Sequence, residues 1–103
     1  MTTLRDSKRR PTHPGEILRE DVLPSLDVTQ GEFAKRLGVS RLTVSELLRE
    51  KRSVSPDMAL RLARLLNTSP ESWLNMQQAV DLWELGRAHT GRYTRIKPVK
   101  AAA

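Results

Sequence analysis

Side chains that can read the bases of double-stranded DNA recur at helical spacing between residues 41 and 49. Arg41, Leu42, Ser45 and Arg49 fall on one face of a short helix, opposite a more apolar face. An arginine at the start of such a helix can donate two hydrogen bonds to O6 and N7 of a guanine, and a leucine can contact a thymine methyl group. The major groove admits one α-helix, whose N-terminal residues reach the base edges. The pattern therefore predicts Arg41 as the main base-reading residue.

Together with the residues that precede it, this short helix forms a pattern of two helices joined by a turn, which predicts a helix-turn-helix. Thr29 and Glu32 stand at capping-box spacing, Gly38 supplies the positive φ of the turn, and Ser40 caps the second helix. Gln30 lies at a helix N-terminus, where it can bind a phosphate. Apolar residues of the two helices form the core face: Phe33, Ala34, Leu37, Val44, Leu47 and Leu48. We expect the following residues to form the DNA-binding surface: Thr29, Gln30, Ser40, Arg41, Leu42, Thr43, Ser45, Glu46, Arg49, Lys51 and Arg52.

Charge is distributed unevenly along the 103-residue chain, whose formal net charge is +6. Residues 33–64 hold eight basic and three acidic side chains, a net charge of +5, and Lys51 and Arg52 come directly after the predicted recognition helix. Residues 13–32 hold five acids and one arginine, a net charge of −4. One surface thus suits the phosphates of DNA, and another suits a cationic partner.

Start and stop signals outside the motif predict an all-α domain of five helices. Pro14 opens the first helix and Pro24 closes it, while Ser55-Pro56-Asp57 and Ser69-Pro70-Glu71 begin the last two, the fifth ending at Gly86. We expect a DNA-binding and dimerisation domain over residues 13–85. Residues 1–12 and 86–103 are basic and poor in apolar side chains, and we expect both tails to be mobile.

The fifth helix carries two apolar stripes. Trp73, Met76, Val80 and Trp83 form the stripe that we expect to cover the core. Leu74, Leu82 and Leu85 form the second, which is a candidate interface of a homodimer; the alternative is a helix buried on both sides within its own domain. A dimer would match the two half-sites of a palindromic operator.

Composition argues against most other classes of function. The chain has no cysteine and no apolar run of about 20 residues, so we expect a cytoplasmic protein without disulfides, thiolate metal sites or a membrane span. We interpret His13 as a helix-start residue, because no nucleophile or metal ligand accompanies it. These patterns predict neither an enzyme nor a cofactor. RNA binding is disfavoured because the few aromatic side chains mostly lie on faces that look buried.

Four blocks of sequence, in order, resemble the HigA (VapI-like) antitoxins of the Cro/repressor helix-turn-helix class. They are His13-Pro14-Gly15-Glu16-Ile17-Leu18, the helix-turn-helix with Val39-Ser40-Arg41, the run from Ser55 to Leu62, and Trp73-Leu74-Asn75-Met76-Gln77 with Asp81-Leu82-Trp83. The resemblance implies a type II antitoxin that binds a HigB-like, RelE-fold mRNA-cleaving toxin and represses its own operon as a dimer. The alternative is a stand-alone dimeric regulator without a toxin.

The acidic stretch is our candidate for the toxin-binding surface. RNA-cleaving toxins must bind phosphates and so tend to be basic, which favours contact with Glu16, Glu20 and Asp21. A solvated acidic face without a partner is the alternative interpretation.

Overall fold

A computed structural model describes residues 9–100, and this part of the chain contains six helices and no β-strand. They are α1 (residues 14–26), α2 (Gln30–Leu37), α3 (Arg41–Leu48), α4 (Pro56–Leu66), α5 (Pro70–Ala88) and α6 (Thr90–Thr94). The predicted all-α helix-turn-helix architecture is confirmed, with α2 and α3 as its two helices. The outer parts of the predicted tails, residues 1–8 and 101–103, lie outside the described residues. None of the helices in residues 9–100 is long and apolar enough to span a membrane.

Helix α1 passes through Pro24, so the prediction that this proline closes it is wrong. Two α-helical turns, Pro14–Ile17 and Leu23–Leu26, flank a π-helical segment, Leu18–Val22. In a regular α-helix the ring of Pro24 would clash with the carbonyl group four residues earlier, and the wider π turn relieves that clash. The helix instead ends at Asp27, which adopts a left-handed conformation with a φ of 55°.

The core lies where α1, the helix-turn-helix, α4 and the first half of α5 meet. Val54 joins it from the loop between α3 and α4, and its other members are apolar side chains from every one of these helices, as the spacing predicts: Leu18, Leu23, Phe33, Ala34, Leu37, Val44, Leu47, Leu48, Met58, Ala59, Leu62 and Trp73. Burial of one large aliphatic or aromatic side chain contributes roughly 1.5–3 kcal/mol. Helices α2 and α3 have only eight residues each and would be marginal alone, so this packing is what fixes their positions.

Helix α5 continues past Gly86 to Ala88, so the prediction that Gly86 ends it is wrong. The residues around Gly86 are good helix formers, and one interior glycine costs only about 1 kcal/mol. Arg87 adds a contact across this point, because its guanidinium lies 4.6 Å from the ring centroid of Trp83, one turn earlier. Residues 90–94 then form α6, a sixth helix that the five predicted from the sequence do not include. The division between domain and tail at residue 85 stays a prediction.

Candidate nucleic-acid interface

The capping hydrogen bonds and the turn of the helix-turn-helix form as the sequence predicts. The Thr29 hydroxyl accepts a hydrogen bond from the backbone N–H of Glu32 at 3.1 Å, and the Glu32 carboxylate accepts one from the N–H of Thr29 at 3.3 Å. Gly38 has a φ of 76°, and the hydroxyl of Ser40 accepts from the N–H of Thr43 at 3.0 Å. These contacts confirm the capping box, the glycine turn and the serine cap. Thr29, Ser40 and Thr43 are therefore engaged in ordering the helix starts.

The outer face of α3 presents the predicted base-reading residues to solvent. Arg41 and Arg49 are exposed, and Leu42 is 62% exposed even though it is apolar. Arg41 has no ion-pair partner within residues 9–100, so its guanidinium is available to a ligand. Gln30 at the start of α2 is also exposed, whereas Ser45 and Glu46 are half-buried. The DNA contacts of these residues stay a prediction.

Two of the predicted DNA-binding residues pair with each other. Arg52 donates from Nη2 and Nε to Oε1 of Glu46, at 2.6 and 3.1 Å. The pair neutralises the only carboxylate among the predicted contact residues, which reduces its repulsion of DNA phosphates. An exposed ion pair of this kind is worth about 0–1 kcal/mol, so a phosphate can replace Glu46 as the partner of Arg52 at little cost.

Arg61 of α4 holds the turn of the helix-turn-helix. Its Nη1 donates to the carbonyl oxygens of Leu37 and Gly38 at 2.8 and 3.2 Å, and its Nε donates to Asp57 at 2.8 Å. A cation at the C-terminal end of α2 also complements the helix dipole. Sequence reasoning counted Arg61 only as positive charge. Its four-residue spacing from Asp57 indicates a helix-face pair, but no sequence signal indicates the contact with the turn.

An ion network at the end of α3 was also not predicted. Glu50 has a φ of 61°, and its carboxylate accepts hydrogen bonds from Arg10 at 2.9 Å and from Arg19 at 3.3 Å. Arg19 also donates to the Leu48 carbonyl at 2.7 Å, and Arg10 pairs with Glu84 of α5 at 2.8 Å. Burial raises the pKa of Glu50, but the hydrogen bonds from both arginines outweigh burial, and the pKa lies below its ordinary value.

Helices α1 and α3 cross closely at Gly15. A Cβ atom on Gly15 would lie 2.0 Å from the carbonyl oxygen of Leu47, so only glycine fits this crossing. His13 caps the helix from the preceding position, with Nδ1 accepting from the N–H of Gly15 at 2.9 Å, which confirms its interpretation as a helix-start residue. His13 is 3% exposed, and burial lowers the pKa of its imidazole.

Gln77 ties α5 to the loop that follows the recognition helix. Its side chain is buried, Oε1 accepts from the N–H of Val54 at 3.0 Å, and Nε2 donates to Asp81 at 3.0 Å. Val54 comes two residues after the predicted phosphate-binding residues Lys51 and Arg52. A glutamine on the core face of α5, four residues after Trp73, was the available signal for such a role.

The predicted partner surfaces are partly exposed. On α5, Leu82 is 66% and Leu85 is 46% exposed, while Leu74 packs partly against the core of its own chain. On α1, Asp21 is exposed, Glu16 is half-buried and Glu20 is exposed but pairs with Arg19 at 2.8 Å. The exposure of these residues does not test whether they form a dimer interface or a toxin-binding surface.

Similarity to known proteins agrees with this geometry. Residues 18–73 match the helix-turn-helix family HTH_3. Antitoxin HigA-1 of Vibrio cholerae is 38% identical over 96 residues, which are 93% of this chain and 90% of that protein. The uncharacterised helix-turn-helix transcriptional regulator YbaQ of Escherichia coli is 43% identical over 82 residues, which are 80% of this chain and 73% of that protein. The solved structure of Pseudomonas aeruginosa antitoxin HigA with the higBA promoter has a TM-score of 0.81 at 40% identity, covering 87% of this chain and 99% of that chain.

Proposed function

This chain belongs to the helix-turn-helix family HTH_3, and on that premise we propose that it is a DNA-binding antitoxin that represses its own operon. As a dimer it binds a palindromic operator, and through a second surface it neutralises a HigB-like toxin of the RelE fold that cleaves mRNA. The observation that carries the proposal is the exposed N-terminal end of α3, where Arg41 and Leu42 stand clear of the core. The similarity to the solved structure of HigA with promoter DNA also supports the binding of DNA by this chain.

The proposed DNA contacts divide into base reading and phosphate binding. Arg41→Ala should cost about 1–3 kcal/mol of operator affinity and relax the base preference at one position of each half-site. Lys51→Ala should weaken binding to all sequences alike and reduce the slope of log affinity against log salt concentration by about one. Fluorescence anisotropy with the operator and with single-base variants measures both effects. Unchanged base preference in Arg41→Ala would show that α3 docks differently.

We propose that the dimer forms through the outer stripe of α5. Leu82 and Leu85 leave two large apolar side chains in solvent on a helix whose other face already covers the core. Leu74, the third residue of the predicted stripe, is committed partly to its own chain, so it contributes less to the interface. Pairing two copies here links two recognition helices, and each then raises the effective concentration of the other at its half-site.

We propose that the toxin binds the acidic side of α1. The exposed carboxylate of Asp21 and the half-exposed one of Glu16 have no ion-pair partner within residues 9–100, so both can attract a basic protein. Reversing both charges to lysine should slow toxin association, most strongly at low salt, and leave operator binding unchanged or slightly tighter. Glu20 is spared because it also pairs with Arg19. Toxin binding that survives this reversal at every salt concentration, but is lost on mutation of Arg41 and Arg49, would place the toxin on the DNA face.

A stand-alone dimeric regulator is the second candidate, and the similarity to the Escherichia coli regulator YbaQ favours it. The DNA-binding surface would be the same in both cases. The neighbouring gene separates them, because an antitoxin is expected beside a small basic open reading frame whose product co-purifies with it. A repressor that is active with no such neighbour would support the stand-alone role.

A further inference from the structure

The recognition helix ends in a backbone conformation that its residue does not favour. Glu50 has a φ of 61°, a left-handed conformation in which the Cβ of most residues approaches the carbonyl oxygen too closely. Its N–H donates to the Leu47 carbonyl at 3.0 Å, and the N–H of Lys51 donates to the Glu46 carbonyl at 2.8 Å. The chain therefore leaves α3 toward Lys51 in a direction that Glu50 sets. Glycine would adopt this conformation more easily, so the backbone alone does not explain a glutamate here.

The carboxylate of Glu50 joins α3 to two segments outside the helix-turn-helix. Arg19 comes from α1 and also donates to the carbonyl of Leu48, the last residue of α3. Arg10 comes from the segment before α1 and also pairs with Glu84 on α5. The C-terminal end of the recognition helix is thus held between α1 and α5 by charged hydrogen bonds.

A second contact lies one turn earlier on α3. At Leu47 the backbone of α3 touches Gly15 of α1 so closely that no side chain fits between them. Core packing of Val44, Leu47 and Leu48 and this crossing hold the middle of α3, and the contacts of Glu50 add a restraint at its C-terminal end against a tilt about the crossing. Arg41 lies six residues from Leu47, roughly 9 Å along the axis, so a tilt of about 10° would move it by roughly 1.6 Å. Base recognition requires positions correct to about 0.5 Å.

We propose that Glu50 is a positioning residue for base recognition: its contacts with Arg10 and Arg19 fix the tilt of α3 and thereby the placement of Arg41 in the major groove. This inference rests on the proposed docking of α3. It predicts that the selectivity for the operator over other DNA depends on Glu50, although Glu50 itself contacts no base. It also makes base reading depend on α5, through Glu84 and Arg10.

Glu50→Gly tests the proposal because it keeps the left-handed backbone and removes the carboxylate. We expect the ratio of affinities for operator and scrambled DNA, measured with the full chain by fluorescence anisotropy, to fall about tenfold, within the range expected for a lost bidentate base contact. Affinity for scrambled DNA should stay within about twofold, since the phosphate contacts remain. The far-UV circular dichroism spectrum should be unchanged. Glu50→Gln, which keeps the size of the side chain, should lower selectivity in the same direction.

Asp57→Asn is the matched control, because it removes a surface carboxylate that pairs with Arg61 while the contacts of Arg61 with the turn remain. Its selectivity should equal that of the wild type. Arg19→Gln combined with Glu50→Gly should reduce selectivity by less than the product of the two single effects, because both changes remove the contact between Arg19 and Glu50. Two results for Glu50→Gly would overturn the proposal, provided that Arg41→Ala still relaxes the base preference. One is wild-type selectivity, and the other is an equal loss of affinity for operator and scrambled DNA. If Arg41→Ala also leaves preference intact, the docking of α3 itself is wrong.

Discussion

Gly15→Ala adds one methyl group at the crossing of α1 and α3, and the structure predicts a large effect. The new Cβ would lie 2.0 Å from the carbonyl oxygen of Leu47 and 3.1 Å from its carbonyl carbon. Carbon and oxygen atoms that are not covalently bonded approach to about 3.3 Å. The Cβ of alanine is fixed to the backbone of α1, and the Leu47 atoms that it meets belong to the backbone of α3, so no side-chain rotation relieves the clash. The two helices must separate by more than 1 Å.

The magnitude follows from two opposing effects. Alanine in a helix is ordinarily more stable than glycine by about 0.5–1 kcal/mol. Against this, forcing one extra carbon into a packed core typically costs about 1–3 kcal/mol, and a clash with backbone belongs at or above the upper end. We expect a net loss of about 2 kcal/mol, which lowers the melting temperature by roughly 8–16 °C in a domain of this size.

Thermal unfolding followed by circular dichroism, at one protomer concentration for all variants, measures this loss. Gly31→Ala is the matched control, because Gly31 lies in α2 and the new Cβ would meet only the Oγ1 atom of Thr29, at an ordinary contact distance of 3.9 Å. It should melt at or slightly above the wild-type temperature. If Gly15→Ala instead behaved like Gly31→Ala, the close crossing of α1 on the recognition helix would be refuted.

Three further changes test other contacts. His13→Asn keeps an N-cap acceptor but removes titration: because the pKa of His13 is lowered on folding, wild-type stability should decline as pH falls below about 6.5, and urea unfolding of the variant should lack this component. Leu82→Ala with Leu85→Ala should shift sedimentation equilibrium toward monomer without loss of helical signal, and a persistent dimer would place the interface elsewhere. Gln77→Leu leaves the buried N–H of Val54 without its acceptor and should cost about 1–3 kcal/mol in urea unfolding, whereas a cost below about 0.5 kcal/mol would contradict that role.

Sequence signals that act within a few residues predicted most of the fold. The caps at Thr29 and Ser40 and the left-handed Gly38 are confirmed because each depends on hydrogen bonds or φ angles inside one turn. The errors at Pro24 and Gly86 have the opposite origin. Each residue weakens a helix locally, but a π turn before Pro24 and strong helix formers around Gly86 carry the helix through.

The support of the candidate DNA-binding surface could not be read from spacing. Arg19 and Arg61 lie 29 and 24 residues from the backbone carbonyls they bind, and Gln77 lies 23 residues from Val54. Which arginine turns toward a carbonyl depends on how the helices pack. Sequence reasoning therefore found the face that points outward, and it missed the side chains that hold that face in place.

These remote contacts have a common consequence for how the chain can evolve its DNA preference. Core packing places the short helices α2 and α3, and three remote side chains add hydrogen bonds around them: Arg61 at the turn, Arg19 at the end of α3 and Gln77 at the following loop. A hydrogen bond from any of them contacts no base, yet on the proposed docking of α3 it is expected to influence where the side chain of Arg41 is presented. Two relatives with identical recognition helices but different residues at these positions are therefore expected to differ in operator selectivity. Grafting α3 alone from one to the other is expected to transfer the predicted base-reading side chains without their placement.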